Sequence, residues 1–175
     1  MKLSVLIPVY NERETLTEIL RRVQAVGIEK EILIVDDFST DGTRDLLARL
    51  DEPNVRVFLH ERNRGKGAAI RTALPEITGD VVIIQDADLE YDPAEYPKLL
   101  APIEANEADV VYGSRFATTG QGTASWANYH ANRFLTGLSN LLTGLKLTDM
   151  ETCYKAIRAD VARRLDLVSD RFEIE

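Results

Sequence analysis

The chain has one cysteine, Cys153, among 175 residues. A lone thiol closes no internal disulfide, so a reducing, cytoplasmic setting fits. It has no obvious base partner and is read as a packing residue rather than a nucleophile. Long apolar runs are also missing. None nears the roughly 18–20 residues needed to cross a bilayer. The first apolar run stops at Pro8, too short for the core of a secretory signal. Positive charge is scarce: 21 Lys and Arg stand against 29 Asp and Glu, a formal net charge of −8. That balance excludes the basic footprint of a nucleic-acid binder. It still allows anionic small molecules, because local charge can oppose the global sign. Internal repeats and low-complexity segments are lacking.

What is present suits one globular domain with a full core: 45% of residues are apolar and 29% charged. The first half alternates strand-like and helix-like segments. Leu3–Ile7 is a short apolar run closed by proline. Leu16, Ile19, Leu20, Val23 and Val26 follow helical spacing. Glu31–Val35 reads as a second strand, and Asp41-Gly42-Thr43 opens a helix carrying Leu46, Leu47 and Leu50. Val55–Leu59, Ala68–Leu74 and Val81–Ile84 continue as strand, helix, strand. This order predicts an α/β fold, a mostly parallel sheet with helices on both faces, its strands buried on both sides. Further on, Pro93–Ile103 reads as a helix and Val110–Gly113 as a strand. Ala117–Ala124 is a Gly- and Thr-rich loop. Phe134, Leu135, Leu138, Leu141, Leu142 and Leu145 form the apolar face of an amphipathic helix. That face is expected to pack on the sheet, with contact to lipid as the second reading. The chain stops at Arg171-Phe172-Glu173-Ile174-Glu175 without a polar tail, so the pattern is expected to continue beyond it.

Parallel sheets bind ligands at the carboxyl ends of their strands. Four successive ends here carry Pro8-Val9-Tyr10-Asn11-Glu12, Asp36-Asp37-Phe38-Ser39-Thr40-Asp41, Arg62–Gly67 and Gln85-Asp86-Ala87-Asp88-Leu89-Glu90. Acids at i and i+2 of a strand end share a direction. Asp86 and Asp88 can therefore hold a hard divalent ion, Mg²⁺ or Mn²⁺, that clamps a diphosphate, with Glu90 as a third oxygen. A solvated turn is the alternative for an isolated Asp-x-Asp. Asp36 and Asp37 face the same crevice and can accept hydrogen bonds from a base or ribose; alternatively they cap the next helix, with Asp41 or Thr43. In Arg62–Gly67 the glycines permit close backbone approach, and Arg64 and Lys66 supply charge for phosphate. His60 is read as a packing or loop residue. His130 has no assigned role, and Trp126 stacks on a ligand or packs in its loop.

These segments, together with Gly113-Ser114-Arg115, occur in the order seen in family 2 glycosyltransferases. The set resembles the branch of dolichyl-phosphate mannose synthases and bacterial polyprenyl-phosphate glycosyltransferases, over nearly the whole chain. The resemblance implies a GT-A fold, with a Rossmann-like nucleotide-sugar half at residues 1–90 and an acceptor half at 91–175, expected to be incomplete at its C-terminus. It implies that Pro8, Tyr10, Glu12 and Asp37 line the base and ribose pocket. Asp86 and Asp88 would hold the donor diphosphate through the metal. Glu90 stands where relatives of this branch often have Gln. Arg115 and Arg133 match phosphate-contacting positions, and Asp149 matches an acceptor-side acid. The implied reaction is inverting transfer of a hexose from a GDP-mannose- or UDP-glucose-type donor to a polyprenyl or dolichyl phosphate, at the cytoplasmic face of a membrane. Asp88, Lys66 and Arg115 would meet the leaving group's charge. A phosphate acceptor needs no strong base, whereas a hydroxyl acceptor would call on Asp149 or Glu151. Two rival readings are a soluble enzyme with a hydroxyl acceptor and a non-catalytic sugar-nucleotide-binding domain. A nucleotidyltransferase fits less well, since Pro8–Glu12 stands where its Gly-rich loop belongs.

Overall fold

A computed structural model describes residues 1–114, 126–144, 146–149 and 152–170. Arg115, Glu151, Leu145 and the loop expected over Ala117–Ala124 lie outside them. The strands are β1 (Leu3–Val9), β2 (Lys30–Asp36), β3 (Val55–Leu59), β4 (Val81–Ile84), β5 (Val110–Tyr112) and β6 (Lys155–Arg158). They form one sheet in the order β3-β2-β1-β4-β6-β5. The β3-β2-β1-β4 part is parallel, and β6 pairs antiparallel with both β4 and β5. The helices are α1 (Leu16–Ala25), α2 (Thr43–Leu47), α3 (Lys66–Ala73), α4 (Tyr96–Glu104), α5 (Trp126–Thr143) and α6 (Ala159–Ala162). A mostly parallel α/β sheet is thus observed as expected.

The central strand runs two residues past its expected end, through Pro8. The pairing explains why. The Leu3 N–H bonds to Glu29 on the β2 side, and the Leu6 carbonyl accepts from Gln85 on the β4 side. Odd residues therefore face β2 and even residues face β4. Pro8 would turn its missing N–H toward β4, whose pairing has already ended at Leu6–Ile84. No ladder bond is lost, so proline is tolerated.

The core is the expected one. Val5, Ile7, Ile32, Ile34 and Ile83 are fully buried, with Leu16, Ile19 and Val23 of α1 and Tyr96 and Leu100 of α4. The helix expected over Pro93–Ile103 begins with one 3-10 turn, Pro93–Glu95, before α4. Two features differ from expectation. The sequence did not announce β6, because Lys155-Ala156-Ile157-Arg158 offers little apolar run between two charged ends. And α5 does not pack its leucines on the sheet: Phe134 is 71%, Leu141 80% and Leu142 77% exposed. Among its described side chains, Asn132 and Thr136 are the buried ones. The Asn132 amide donates to Asp149 (2.8 Å), and the Thr136 hydroxyl donates to the Asn132 carbonyl oxygen (2.9 Å). The inward face is held by hydrogen bonds, which leaves the apolar face outward. Among the described residues no helix is long and apolar enough to cross a membrane.

Candidate active site

The carboxyl edge of the parallel strands brings the motifs together. After β1, Asn11 takes a left-handed conformation (φ 59°). Its N–H donates to Ser39 Oγ (2.8 Å), and its side-chain oxygen accepts from the Thr40 N–H (2.8 Å). The Glu12 N–H donates to Thr43 Oγ1 (3.0 Å), and its carboxylate accepts from the Thr15 hydroxyl. Asp41 accepts the Thr43 N–H and hydroxyl at 3.0 and 2.6 Å, while the cap position of α2 itself is Gly42. These bonds lace the β1 and β2 ends into one rim. Tyr10 stands half exposed on it, and Pro8 lies partly buried beneath.

The two acids after β2 divide their work. Asp36 is fully buried. It accepts the N–H groups of Phe38 and Ser39 and the Arg44 Nε–H at 2.6 Å. Phe38 sits at φ 70° to make that turn, and the Arg44 guanidinium lies over its ring. Asp36 therefore serves the loop and does not face the crevice. Asp37 is 4% exposed. Its Oδ1 accepts from His60 Nδ1 (2.7 Å) and the Arg64 N–H (2.8 Å), and its Oδ2 from the Gly65 N–H (2.7 Å). A carboxylate offers about four lone-pair sites, so about one remains for a ligand.

Gly65, at φ 96°, delivers Lys66 as the first residue of α3. The Lys66 ammonium reaches both oxygens of Asp86, at 2.9 and 3.0 Å. Asp88 is exposed, and its Oδ1 accepts the Glu90 N–H at 3.0 Å across Leu89, whose φ is 67°. Strand alternation places none of the three acids, because β4 ends at Ile84 before all of them; the chain also turns at Leu89, between Asp88 and Glu90. Among the described residues, no three His, Cys, Asp or Glu side chains gather in a way that could hold a metal ion. What fits is narrower. Asp86 and Asp88 offer hard oxygens suited to an ion that takes its other ligands from phosphate and water. Such an ion would compete with Lys66 for Asp86.

Behind Asp86 lies a buried polar group that the sequence did not reveal. Gln85 Oε1 accepts from the Tyr96 hydroxyl (2.8 Å) and the Tyr154 hydroxyl (3.0 Å), and its Nε2 donates to the Asp86 carbonyl (2.9 Å). Tyr154 also packs on Tyr91, with ring centroids 4.7 Å apart. Burial pushes the Tyr96 and Tyr154 phenols up. Burial, then the nearby Asp86, pushes the Cys153 thiol well up. A thiol held protonated is a poor nucleophile, in keeping with its reading as packing. These partners come from distant segments, and only their aromatic character was visible beforehand.

Farther along the chain, Asp149 is 1% exposed and held by Asn132. Arg133 follows Asn132 on α5 and is exposed. Arg115 and Glu151 lie outside the described residues, as do the side chains of Trp126 and His130. Lys155 is buried, donates to the Thr152 carbonyl and sits 5.3 Å from the Tyr112 ring centroid.

The fold recurs in solved structures. S. aureus TarS (residues 1–349) matches at a TM-score of 0.66 and 23% identity, covering 92% of this chain and 48% of that one. Another structure of the same fragment is a complex with UDP-GlcNAc, at 24% identity. Glucosyl-3-phosphoglycerate synthase from Mycobacterium tuberculosis, in complex with Mn²⁺, UDP and phosphoglyceric acid, matches at 0.67 and 22%. It is covered over 56% of its length by 91% of this chain. The chain thus spans about half the length of these structures, and the likeness establishes the GT-A fold. The family model described as Glycosyl transferase family 2 matches residues 4–166, and the chain belongs to that family.

Proposed function

We propose that this chain carries the catalytic centre of an inverting glycosyltransferase. It takes a hexose from a nucleoside diphosphate donor, of GDP-mannose or UDP-glucose type, and passes it to a polyprenyl or dolichyl phosphate. The donor reading rests on Lys66 facing Asp86 within 2.9 Å at the carboxyl edge of the sheet. A diphosphate needs cationic charge beside it, and a divalent ion needs hard oxygens; both are present at one point. Residues 1–90 form the donor half and 91–175 the acceptor half of a single domain.

Pro8, Tyr10 and Glu12 border the base and ribose, with Tyr10 exposed enough to stack. Asp37 offers its remaining lone pair. Asp86 and Asp88 would hold Mg²⁺ or Mn²⁺, which neutralises charge on the leaving diphosphate. Lys66 trades its bond to Asp86 for one to the phosphate oxygens. Arg115 and Arg133 hold the acceptor phosphate. That phosphate is already an anion, so it attacks the anomeric carbon without a strong base. The bond to the diphosphate oxygen breaks as the new bond forms, and the configuration inverts. The exposed apolar face of α5 beside Arg133 supports a lipid-borne acceptor and peripheral contact with a membrane.

The test is a thermal-shift titration with UDP, GDP and their sugar conjugates, with and without Mn²⁺. One nucleotide, at a hundredfold over its Kd, should add about 2.7 kcal/mol in the presence of metal, or about 5–10 °C in Tm. Asp88→Asn should lose the metal-dependent part. Radiolabelled sugar should then pass to polyprenyl phosphate. No shift with any nucleotide on folded protein removes the donor reading. Transfer to a water-soluble hydroxyl acceptor, but not to the lipid, replaces the acceptor reading and makes Asp149 the candidate base.

A further inference from the structure

His60 is nearly fully buried just after the end of β3. Its ring nonetheless joins two parts of the donor site. A carboxylate can only accept, so the 2.7 Å contact with Asp37 requires a proton on Nδ1. The other nitrogen, Nε2, lies 2.9 Å from the Thr72 hydroxyl of α3, which is itself 3.0 Å from the Ala68 carbonyl. The backbone of His60 is fixed as well: its N–H donates to the Asp36 carbonyl (2.9 Å), and its own carbonyl accepts from Arg44. A ring so held leaves Asp37 little freedom to rotate. Asp37 in turn binds the N–H groups of Arg64 and Gly65, the two residues that immediately precede Lys66.

We propose that His60 is a positioning residue for the donor diphosphate. It locks the Asp37 carboxylate, Asp37 locks the Arg64 and Gly65 amides, and these aim Lys66 at Asp86 and at the phosphate oxygens. Through Thr72 the same ring ties the loop to the body of α3. The inference rests on the donor reading of this edge of the sheet, and assigns Asp37 first to the loop and only second to the nucleotide.

Two amide substitutions separate this chain of contacts from simple packing. In His60→Asn the side-chain NH₂ falls near the Nδ1 position and keeps the bond to Asp37. In His60→Gln it reaches the Nε2 position, keeps Thr72 and loses Asp37. Packing alone predicts the reverse order of damage, because Asn leaves the larger void. Two readouts apply. Amide hydrogen exchange at Arg64 and Gly65, followed by NMR on the ligand-free protein, should quicken about tenfold or more in His60→Gln, in line with losing a charge-assisted hydrogen bond. It should change less than about twofold in His60→Asn. The Kd for UDP or GDP with Mn²⁺ should rise about tenfold in His60→Gln alone, by the same loss. Unchanged exchange at both amides in His60→Gln overturns the proposal, and so does equal weakening by the two variants. If the wild-type chain binds neither nucleotide, the donor reading fails, while the exchange rates still decide whether His60 holds the loop.

Discussion

Asp36 and Asp37 are adjacent acids after one apolar strand, and nothing in their order says that they part company. The sequence showed that carboxylates end β2 and β4 and that Lys66 follows a glycine. It could not show that a left-handed Phe38 folds Asp36 back onto its own loop, or that Asp37 would reach across to Arg64 and Gly65. Such choices depend on backbone dihedrals and on partners more than 20 residues away. Glu90 is the converse case. Its spacing from Asp86 and Asp88 invited a strand-based grouping, but β4 ends at Ile84, before all three acids. The burial of Asp36 has a measurable consequence. Its charge is balanced by Arg44 and two backbone N–H groups, and Asp36→Asn removes the charge while keeping the shape. Arg44 then faces a neutral group. The expected loss is about 3 kcal/mol of folding stability, as for breaking a buried pair. Urea unfolding with an unchanged m-value should report it. A loss below about 1 kcal/mol would show that solvent at Arg44 already does the work of Asp36.

The elements that the sequence made plain are those buried on both faces. The strands β1, β2 and β4 carry apolar runs that are almost wholly buried, and α1 repeats its leucines and isoleucines at helical spacing, so burial and pattern agree there; β3 carries Arg56 and is only partly buried. For α5 the spacing announced a helix correctly but not its orientation. Periodicity identifies an apolar face, whereas packing decides where it points. Asn132 and Thr136 turn inward to Asp149, and the leucines turn out. Single exposed leucines need no explanation, but Phe134, Leu138, Leu141 and Leu142 lie within little more than two turns of one helix. Under the lipid reading they insert at the bilayer interface. Leu141 and Leu142 are each worth about 1.5–3 kcal/mol when fully buried. The double variant Leu141→Glu, Leu142→Glu should therefore abolish co-sedimentation with phosphatidylcholine vesicles. Its folding stability should change by less than about 0.5 kcal/mol per site, as both side chains are solvated in the free chain. Wild-type protein that stays in the supernatant ends the lipid reading of α5.

At the scale of the whole molecule, early and late segments share one sheet. β6 lies beside β4, and Tyr154, which precedes it, closes over Gln85 behind Asp86. The buried groups at this seam and the carboxylates elsewhere act on stability from opposite ends of the pH scale. For Glu31, burial raises the carboxyl, but hydrogen bonds from Ser4 and Thr78 and the Lys2 charge outweigh it and hold it below its ordinary 4.5. Asp41 is likewise held below 3.8, its bonds to Thr43 and Arg13 outweighing burial. Groups with a lowered folded value add stability above their unfolded value and lose it as pH falls through the folded one. Tyr96, Tyr154 and Cys153 are shifted the other way, chiefly by burial, from ordinary values of 10.0, 10.0 and 9.0. The folded chain keeps these protons while the unfolded chain gives them up. Their contribution is whole below about pH 9 and drains away as pH rises beyond it. The thermal midpoint should hold level between about pH 6 and 8 and decline on both sides, below about 4.5 and above about 9. Tyr154→Phe should make the alkaline decline shallower, because one of the three protons no longer counts, while leaving the acid limb alone. A midpoint that stays level up to about pH 10.5 would mean that these phenols and this thiol titrate as freely in the folded chain as in the unfolded one, and the closed seam behind Asp86 would have to be given up.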